Sequence, residues 1–418
     1  MMAIRQILRK GNVCMKVIEG GVTAAKGFLA AGTAAGIKKG NQMDMAMIYS
    51  QNSCLAAGTF TTNLVKAAPV KWDQEIVYHQ PSAQAVVINS GVANACTGAE
   101  GMECCKRTAQ AAARVLGIDR EQVLVASTGV IGQQLPMEKL EAGVENLKPL
   151  LASDREGGAQ AARAIMTTDT VPKEAAVTLQ LGGRQVTIGG MCKGSGMIHP
   201  NMCTMLSFVA TDAAISKELL QKALSDVVKD TYNMVSVDGD TSTNDTVLLL
   251  ANGMAENPQI TEENEDYAAF KEALLYVNTC LAKKIAGDGE GATALFEVKV
   301  VGAATREQAA TLAKSIITSN LTKAAIFGHD ANWGRILCAM GYSGAAFDPE
   351  KVDLYFESSA GKLKIVEDGV STGYSEEEAT RILSQPEVTA IADVKMGNES
   401  AAAWGCDLTY DYVWINGD

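Results

Sequence analysis

Thr204 follows Cys203 in the stretch KGSGMIHPNMCTMLSF, Lys193–Phe208, at the mouth of a run that alternates like a strand. Gly194, Gly196 and Pro200 precede it, and such residues build irregular backbone in which strain can be stored. A threonine hydroxyl is a poor nucleophile unless a base takes its proton. Histidine is the usual base, but the chain has only His79, His199 and His329, with no signature of a Ser–His–Asp triad. Cutting the Cys203–Thr204 bond supplies another base. Thr204 then carries a free α-amine within reach of its own hydroxyl. The unperturbed pKa of such an amine is about 7.7–8.0, which suits a general base near neutrality. Thr204 can make the cut itself, through Oγ attack on the Cys203 carbonyl and hydrolysis of the ester formed. Most threonines at a strand edge are structural. The turn-rich approach, Lys193 in the same glycine-rich turn and the small preceding residue favour chemistry here.

Other polar stretches offer partners. STGVIG, Ser127–Gly132, follows a β-rich run; it reads as a strand-to-loop turn or as a hydroxyl plus a glycine N–H that serve an oxyanion. In MTTDTVPK, Met166–Lys173, Thr167 either caps a helix end or hydrogen-bonds a substrate. SVDGDTSTNDT, Ser236–Thr246, resembles a calcium loop only superficially. Counted from Asp238, the sixth residue is Thr243 and the twelfth Leu249, where such a loop needs Gly and Glu. No metal is expected, and tight polar turns before the buried strand TVLLLANG are the better account. GDGEGAT, Gly287–Thr293, lacks the phosphate-loop spacing. Its Glu290 suits a cationic amine or is a solvated loop carboxylate. In NWGR, Trp333 is expected to pack and Arg335 to pair structurally.

The elements that must position these residues alternate between helix and strand, which argues for an α/β or α+β architecture. Ala85–Gly91 and Val123–Gly129 are β-rich and end in small polar residues. Between them, Glu103–Val115 has helical spacing and Gly117 as a stop. Apolar residues step by three or four from Met137 to Leu151, after Pro136. VTLQLGGRQVTIGG predicts a hairpin around Gly182–Gly183. Asp212 or Ser216 is placed to cap a helix over Leu219–Val228, and the C-terminal DLTYDYVWI is β-patterned.

The 418 residues, 47% hydrophobic, can bury a sizeable core in two or so domains. With 48 acidic against 36 basic residues the formal charge is -12, and no basic stripe suggests nucleic acid. No apolar run is long enough to span a bilayer, and the N terminus is no secretory signal. Ten cysteines without CxxC or zinc spacing read as buried, reduced thiols, so a cytoplasmic setting is expected.

Taken together, the motifs resemble the ornithine acetyltransferase (glutamate N-acetyltransferase, ArgJ) family. GVTAAKGF, INSGVANACTG, ASTGVIG, IMTTDTVPK, KGSGMIHPNMCTML, VDGDTSTNDTVLLLANG, GDGEGAT, ANWGRIL and WGCDLTYDYVWIN carry it, in family order from about Gly20 to the end. The resemblance implies an αββα-type sandwich, N-terminal-nucleophile-like, with a smaller C-terminal α/β domain. It implies self-cleavage into an α chain, residues 1–203, and a β chain, 204–418, that opens on the nucleophile Thr204, with residues 1–14 as an extension. The cleaved chains would assemble as an α2β2 heterotetramer. Thr128 and Gly129 fall on the oxyanion-hole pair. Thr167, Lys193, Thr204, Glu290 and Asn416 fall on substrate-binding positions. The implied reaction moves acetyl from N-acetylornithine to glutamate through an acetyl-Thr204 ester, in arginine biosynthesis. It needs no cofactor; in some members of the family acetyl-CoA is also a co-substrate, and no motif in the chain decides between the two cases. From charge, Lys193 suits a substrate carboxylate and Glu290 an ammonium.

The chain departs from the family pattern at Cys203, where alanine is usual, at Ala25 for proline, Val92 for asparagine and Ala294 for lysine. Only two residues follow Asn416, so one family contact beyond it is expected to be missing. Two other functions share the nucleophile. One is an N-terminal-nucleophile aminopeptidase or amidase, against which the context of Thr204 argues. The other is a catalytically impaired homologue kept for binding or assembly.

Overall fold

The computed structural model describes residues 7–10, 13–199 and 205–417. Cys203 and Thr204, the expected cleavage pair, lie outside the described residues. The chain divides into two compact units. One comprises Met1–Gly194, Pro200–Tyr232 and Thr241–Leu281; the other comprises Ser195–His199, Asn233–Asp240 and Ala282–Asp418.

The first unit is built on ten strands. Their order is Ile7–Lys10, Val13–Ile18, Lys173–Leu181, Arg184–Lys193, Leu206–Thr211, Thr246–Ala251, Met45–Phe60, Ala83–Val92 and Val123–Val130, with Phe28–Thr33 also paired to Met45–Phe60. The 16-residue strand Met45–Phe60 serves two halves of the sheet. Its Met45–Tyr49 part pairs with Phe28–Thr33 and Ala83–Val92, and its Leu55–Phe60 part pairs with Thr246–Ala251.

Strand periodicity then assigns each face. Val86, Ile88, Leu124 and Ala126 share a core with Leu206, Phe208, Ala210, Leu248 and Leu250 of the other half. Their alternate neighbours Ala85, Val87, Val123 and Val125 pack outward on Ala109, Ala112, Leu140 and Val144, from the helices Gly98–Leu116 and Met137–Leu147. The opposite outer face takes helix Lys217–Asp230, whose Gln221 exchanges two hydrogen bonds of 3.0 Å with the Gly58 backbone. Helix Glu265–Gly287 covers the same half, with Leu281 close over Gly190. The layers run helix, sheet, sheet, helix, as expected for an αββα sandwich. Each fully buried Val, Leu, Ile or Phe there contributes about 1.5–3 kcal/mol.

The second unit holds a seven-stranded sheet in the order Val235–Ser236, Glu399–Cys406, Leu295–Ala303, Glu387–Asp393, Asp353–Ser358, Gly361–Glu367 and Val370–Ser371. Helix Arg306–Thr318 buries Leu312, Ala313, Ile316 and Ile317. Gly405 is needed at the contact, because a Cβ there would stand 2.5 Å from the Ser236 carbonyl oxygen and 2.9 Å from Ile317. Within this unit His199 accepts or donates at Nδ1 to the Ser236 hydroxyl, 3.1 Å away. Burial, with Lys314 adding to it and Asp240 opposing it, pushes the His199 imidazole down to about 4. The folded state therefore excludes a proton that the unfolded chain binds below pH 6.5. Thermal stability is expected to hold above pH 6.5 and to fall as pH descends from there toward about 4. Melting curves across that window should show a smaller drop for His199→Asn; an identical drop would contradict this assignment.

Several expected elements are present. The two-residue hairpin joins Lys173–Leu181 to Arg184–Lys193 through Gly182 and Gly183, at φ +52° and +77°. Gly117, at φ +73°, ends helix Gly98–Leu116. Ser216 caps helix Lys217–Asp230, while Asp212 instead accepts the Thr187 and Lys26 amides at 2.7 and 3.0 Å.

Two expectations are corrected. The β-patterned C terminus is a helix, Tyr410–Asn416, capped by the Thr409 hydroxyl, and its Tyr410, Val413 and Trp414 are exposed. Its aromatic and β-branched residues favour a strand, but the cap and Asp411 in the first turn favour a helix start. The cysteines are not uniformly buried. Among the described ones, all free, Cys14, Cys96 and Cys338 are exposed.

Candidate active site

The strand Val123–Val130 is held along its whole length. Helix Ala68–His79 fixes its start: the Trp72 indole donates to the Val123 carbonyl at 3.0 Å, and the Val125 amide donates to the buried Asp73 carboxyl at 2.8 Å. Side-chain amides clasp its end. The Ser127 hydroxyl donates to Asn89 at 2.6 Å, and Asn244 Nδ2 donates to the carbonyls of Ala93 and Ser127 at 2.5 and 2.8 Å. The register with Ala83–Val92 then slips into a bulge, with Gly91 opposite Gly129 and Val92 opposite both Thr128 and Val130. Gly91 and Gly129 take φ +112° and +130°. A Cβ on Gly129 would lie 2.2 Å from the Gly91 carbonyl carbon, so this crossing admits only glycine. Thr128 is half-buried and Gly129 exposed. The fold thus presents a hydroxyl and an irregular glycine backbone at a rigid strand end.

Thr167 and Lys193 converge on a residue absent from the sequence-based set, Asp169. Asp169 Oδ2 accepts the Thr167 amide at 3.0 Å and faces Lys193 Nζ at 4.0 Å. Its Oδ1 accepts the Gly194 amide at 2.7 Å and Lys173 Nζ at 2.7 Å. Burial pushes the carboxyl up, but Lys193, Lys173 and these hydrogen bonds outweigh it and hold Asp169 well below the usual carboxylate range. Lys38 is a second addition. Its ammonium donates to the carbonyls of Met166 and Met43 at 2.5 and 3.1 Å. Its stem lies on Gly91, where a Cβ would meet Lys38 Cγ at 3.2 Å. The fully buried Asp44 shapes this loop by accepting the amides of Ala35, Ile37 and Lys38 at 2.6, 2.6 and 2.9 Å.

Strand Leu206–Thr211 begins two residues after Thr204. It lies between Arg184–Lys193 and Thr246–Ala251, with Leu206 opposite both Lys193 and Thr246. All six of its residues are buried. The Thr246 amide donates to the Met205 carbonyl at 2.9 Å. Beside it, burial pushes the Asp245 carboxyl well above the usual range, against hydrogen bonds from Ser242 and the Met205 amide and the charge of Lys193. Among the described residues its Oδ2 has no hydrogen-bond partner.

The remaining two site residues belong to the second unit, which brings them together. Asn416 Nδ2 donates to Glu290 Oε2 at 2.7 Å and to the Tyr412 carbonyl at 3.0 Å. The Glu290 amide donates to the Ser195 carbonyl at 3.0 Å, and its carboxylate lies where a Cβ on Gly196 would stand, 2.3 Å from that position. Asp407 orders the same loop through the Thr293 and Ala294 amides at 2.9 and 3.1 Å. Arg335, from NWGR, donates to the Leu321 carbonyl at 2.8 Å, and Trp333 is half-buried at the start of helix Trp333–Gly341. Among the described residues no three His, Cys, Asp or Glu side chains gather to hold a metal ion.

Residues 29–418 match the ArgJ family, and the chain belongs to that family, acyltransferases of arginine biosynthesis. It is 54% identical to the arginine biosynthesis bifunctional protein ArgJ of Symbiobacterium thermophilum, over 96% of this chain and 99% of that protein. Its identity to the protein of the same name from Caldanaerobacter subterraneus is 53%, over the same shares. A crystal structure of the ArgJ bifunctional protein from Bacillus halodurans aligns at 50% identity and TM-score 0.49, covering 51% of this chain and 99% of that one. Among the described residues no helix is long and apolar enough to cross a membrane.

Proposed function

We propose that the chain transfers acetyl from N-acetylornithine to glutamate through an ester on Thr204, after cutting itself between Cys203 and Thr204. The hydroxyl attacks the acetyl carbonyl and its proton passes to the Thr204 α-amine. Thr128 and Gly129 hold the negative charge that forms on the carbonyl oxygen. The C–N bond breaks, ornithine leaves with the amine's proton, and the acetyl ester remains. The glutamate amine then attacks that ester, giving acetylglutamate and regenerating the hydroxyl. Lys193 and Thr167 take the carboxylate end of each substrate. Glu290, aligned by Asn416, takes the ammonium of ornithine. Acetyl-CoA is a second donor, used as a co-substrate. The cut chains, 1–203 and 204–418, assemble as α2β2 in the cytoplasm.

The observation that carries this reading is the family match over residues 29–418. The rigid Thr128–Gly129 bulge supports it independently. Incubating purified protein with N-acetylornithine and glutamate should yield ornithine and acetylglutamate in equal amounts. Free acetate with no acetylglutamate would mean a hydrolase, the amidase alternative.

Thr128→Ala should lower kcat about 10²–10³-fold in both half-reactions, the usual cost of one oxyanion donor. KM should change little, because that donor is stronger in the transition state than in the ground state. An unchanged kcat in the folded variant would place the oxyanion site on another loop.

A further inference from the structure

Asp169 does more than its place in a polar turn suggests. It follows helix Arg155–Ala164 and precedes strand Lys173–Leu181, and its side chain is fully buried together with that of Lys173. One oxygen accepts the amide of Thr167, and the other accepts the amide of Gly194, directly after Lys193. A single carboxylate thereby sets the distance between the two chain segments that carry Thr167 and Lys193. Its Oδ2 also lies 4.0 Å from Lys193 Nζ.

The other charged groups around Lys193 do not substitute for it. Lys38 adds positive charge, and it feels both Lys193 and Asp169. The carboxylate of Asp44 is engaged by three amides of its own loop. Asp245 is the remaining carboxyl that senses Lys193, and burial favours its neutral acid. Lys173 already takes the short ion pair with Asp169, at 2.7 Å. Lys193, buried, and Lys38, half-buried, therefore bring two ammonium groups to the loops that carry Asp169 and Asp44. Such a site gains by binding one further anion.

We propose that Asp169 is a positioning residue for acetyl transfer: it holds Thr167 and Lys193 in register and gives Lys193 its counter-charge, so that Lys193 and Lys38 together receive the carboxylate of the amino-acid substrate. This rests on the acetyl-transfer reading above. Asp169→Asn keeps the size and one acceptor but removes the charge. Without that charge the segments that carry Thr167 and Lys193 lose their shared anchor, and carboxylate binding weakens.

The experiment is kcat and KM for N-acetylornithine in Asp169→Asn. The double variant Asp169→Asn/Lys173→Met is measured alongside it. That variant removes both members of the buried Asp169–Lys173 pair, so a KM rise shared by the two variants reports the loss of Asp169 and not an unpaired Lys173. KM should rise roughly 10–100-fold, the loss of one charged hydrogen bond, with kcat less affected. A merely structural role would lower kcat and stability alike. A wild-type KM, a kcat loss with unchanged KM, or a folded chain that stays uncut would each overturn the proposal. If wild-type protein released no ornithine from N-acetylornithine, the acetyl-transfer reading would fail before either variant was measured.

Discussion

Thr204→Ala is expected to give a single uncut chain with acetyl transfer reduced on the order of 10⁶-fold, the scale seen when a hydroxyl nucleophile is removed. One substitution removes two functions. Without Oγ nothing attacks the Cys203 carbonyl, so the peptide bond persists. Without the cut there is no α-amine to act as base. Thr204→Ser separates size from chemistry. Serine keeps the hydroxyl but loses the methyl that restricts its rotamer, so slow cleavage and partial activity are expected. The wild-type chain should run as fragments of roughly 21 and 23 kDa, in proportion to 203 and 215 of 418 residues in 44.0 kDa. A Thr204→Ala chain that cleaved normally would put the nucleophile elsewhere.

Gly129→Ala carries the second large effect. The added Cβ would sit 2.2 Å from the Gly91 carbonyl carbon, 2.5 Å from its oxygen and 2.6 Å from the Val92 nitrogen. All three are backbone atoms, so no side chain can rotate away. The φ of +130° is itself strained for alanine, a cost of about 1–3 kcal/mol. The bulge must open, and Thr128 moves with it. Activity is expected to fall at least about 10²–10³-fold, with a lower melting temperature. Gly132→Ala is the control. That glycine takes φ +83°, but a Cβ there has nothing within 4 Å. If Gly129→Ala matched Gly132→Ala in both rate and stability, the bulge would not be the oxyanion site.

What the sequence revealed and concealed follows from the range of the forces involved. The hairpin at Gly182–Gly183 and the glycine stop at Gly117 are local, and glycine announces them. The strands ending at Val92 and Val130 are legible from their β-branched runs. Asp169 lay in plain view inside MTTDTVPK, yet its importance comes from Gly194 and Lys193, which only the pairing of Lys173–Leu181 with Arg184–Lys193 brings near. Nothing in the residues around Lys38 marks it in the sequence. Its role depends on Asp44 folding that loop and on Gly91 leaving room for its stem. The clasp joins Ser127 to Asn89, 38 residues away, and to Asn244, 117 residues away, beyond any local pattern. The C-terminal helix misled in the other direction. Alternation suggested a strand, while the Thr409 cap decided the conformation.

The most direct test of acetyl transfer through Thr204 is mass spectrometry of the protein mixed with N-acetylornithine in the absence of glutamate. The predicted result is a fragment beginning TMLSF that is heavier by one acetyl group, carried on Thr204, with release of one ornithine per site and loss of the added mass when glutamate is supplied. An uncut chain with full transferase activity, or an acetyl group on any other residue, would contradict it.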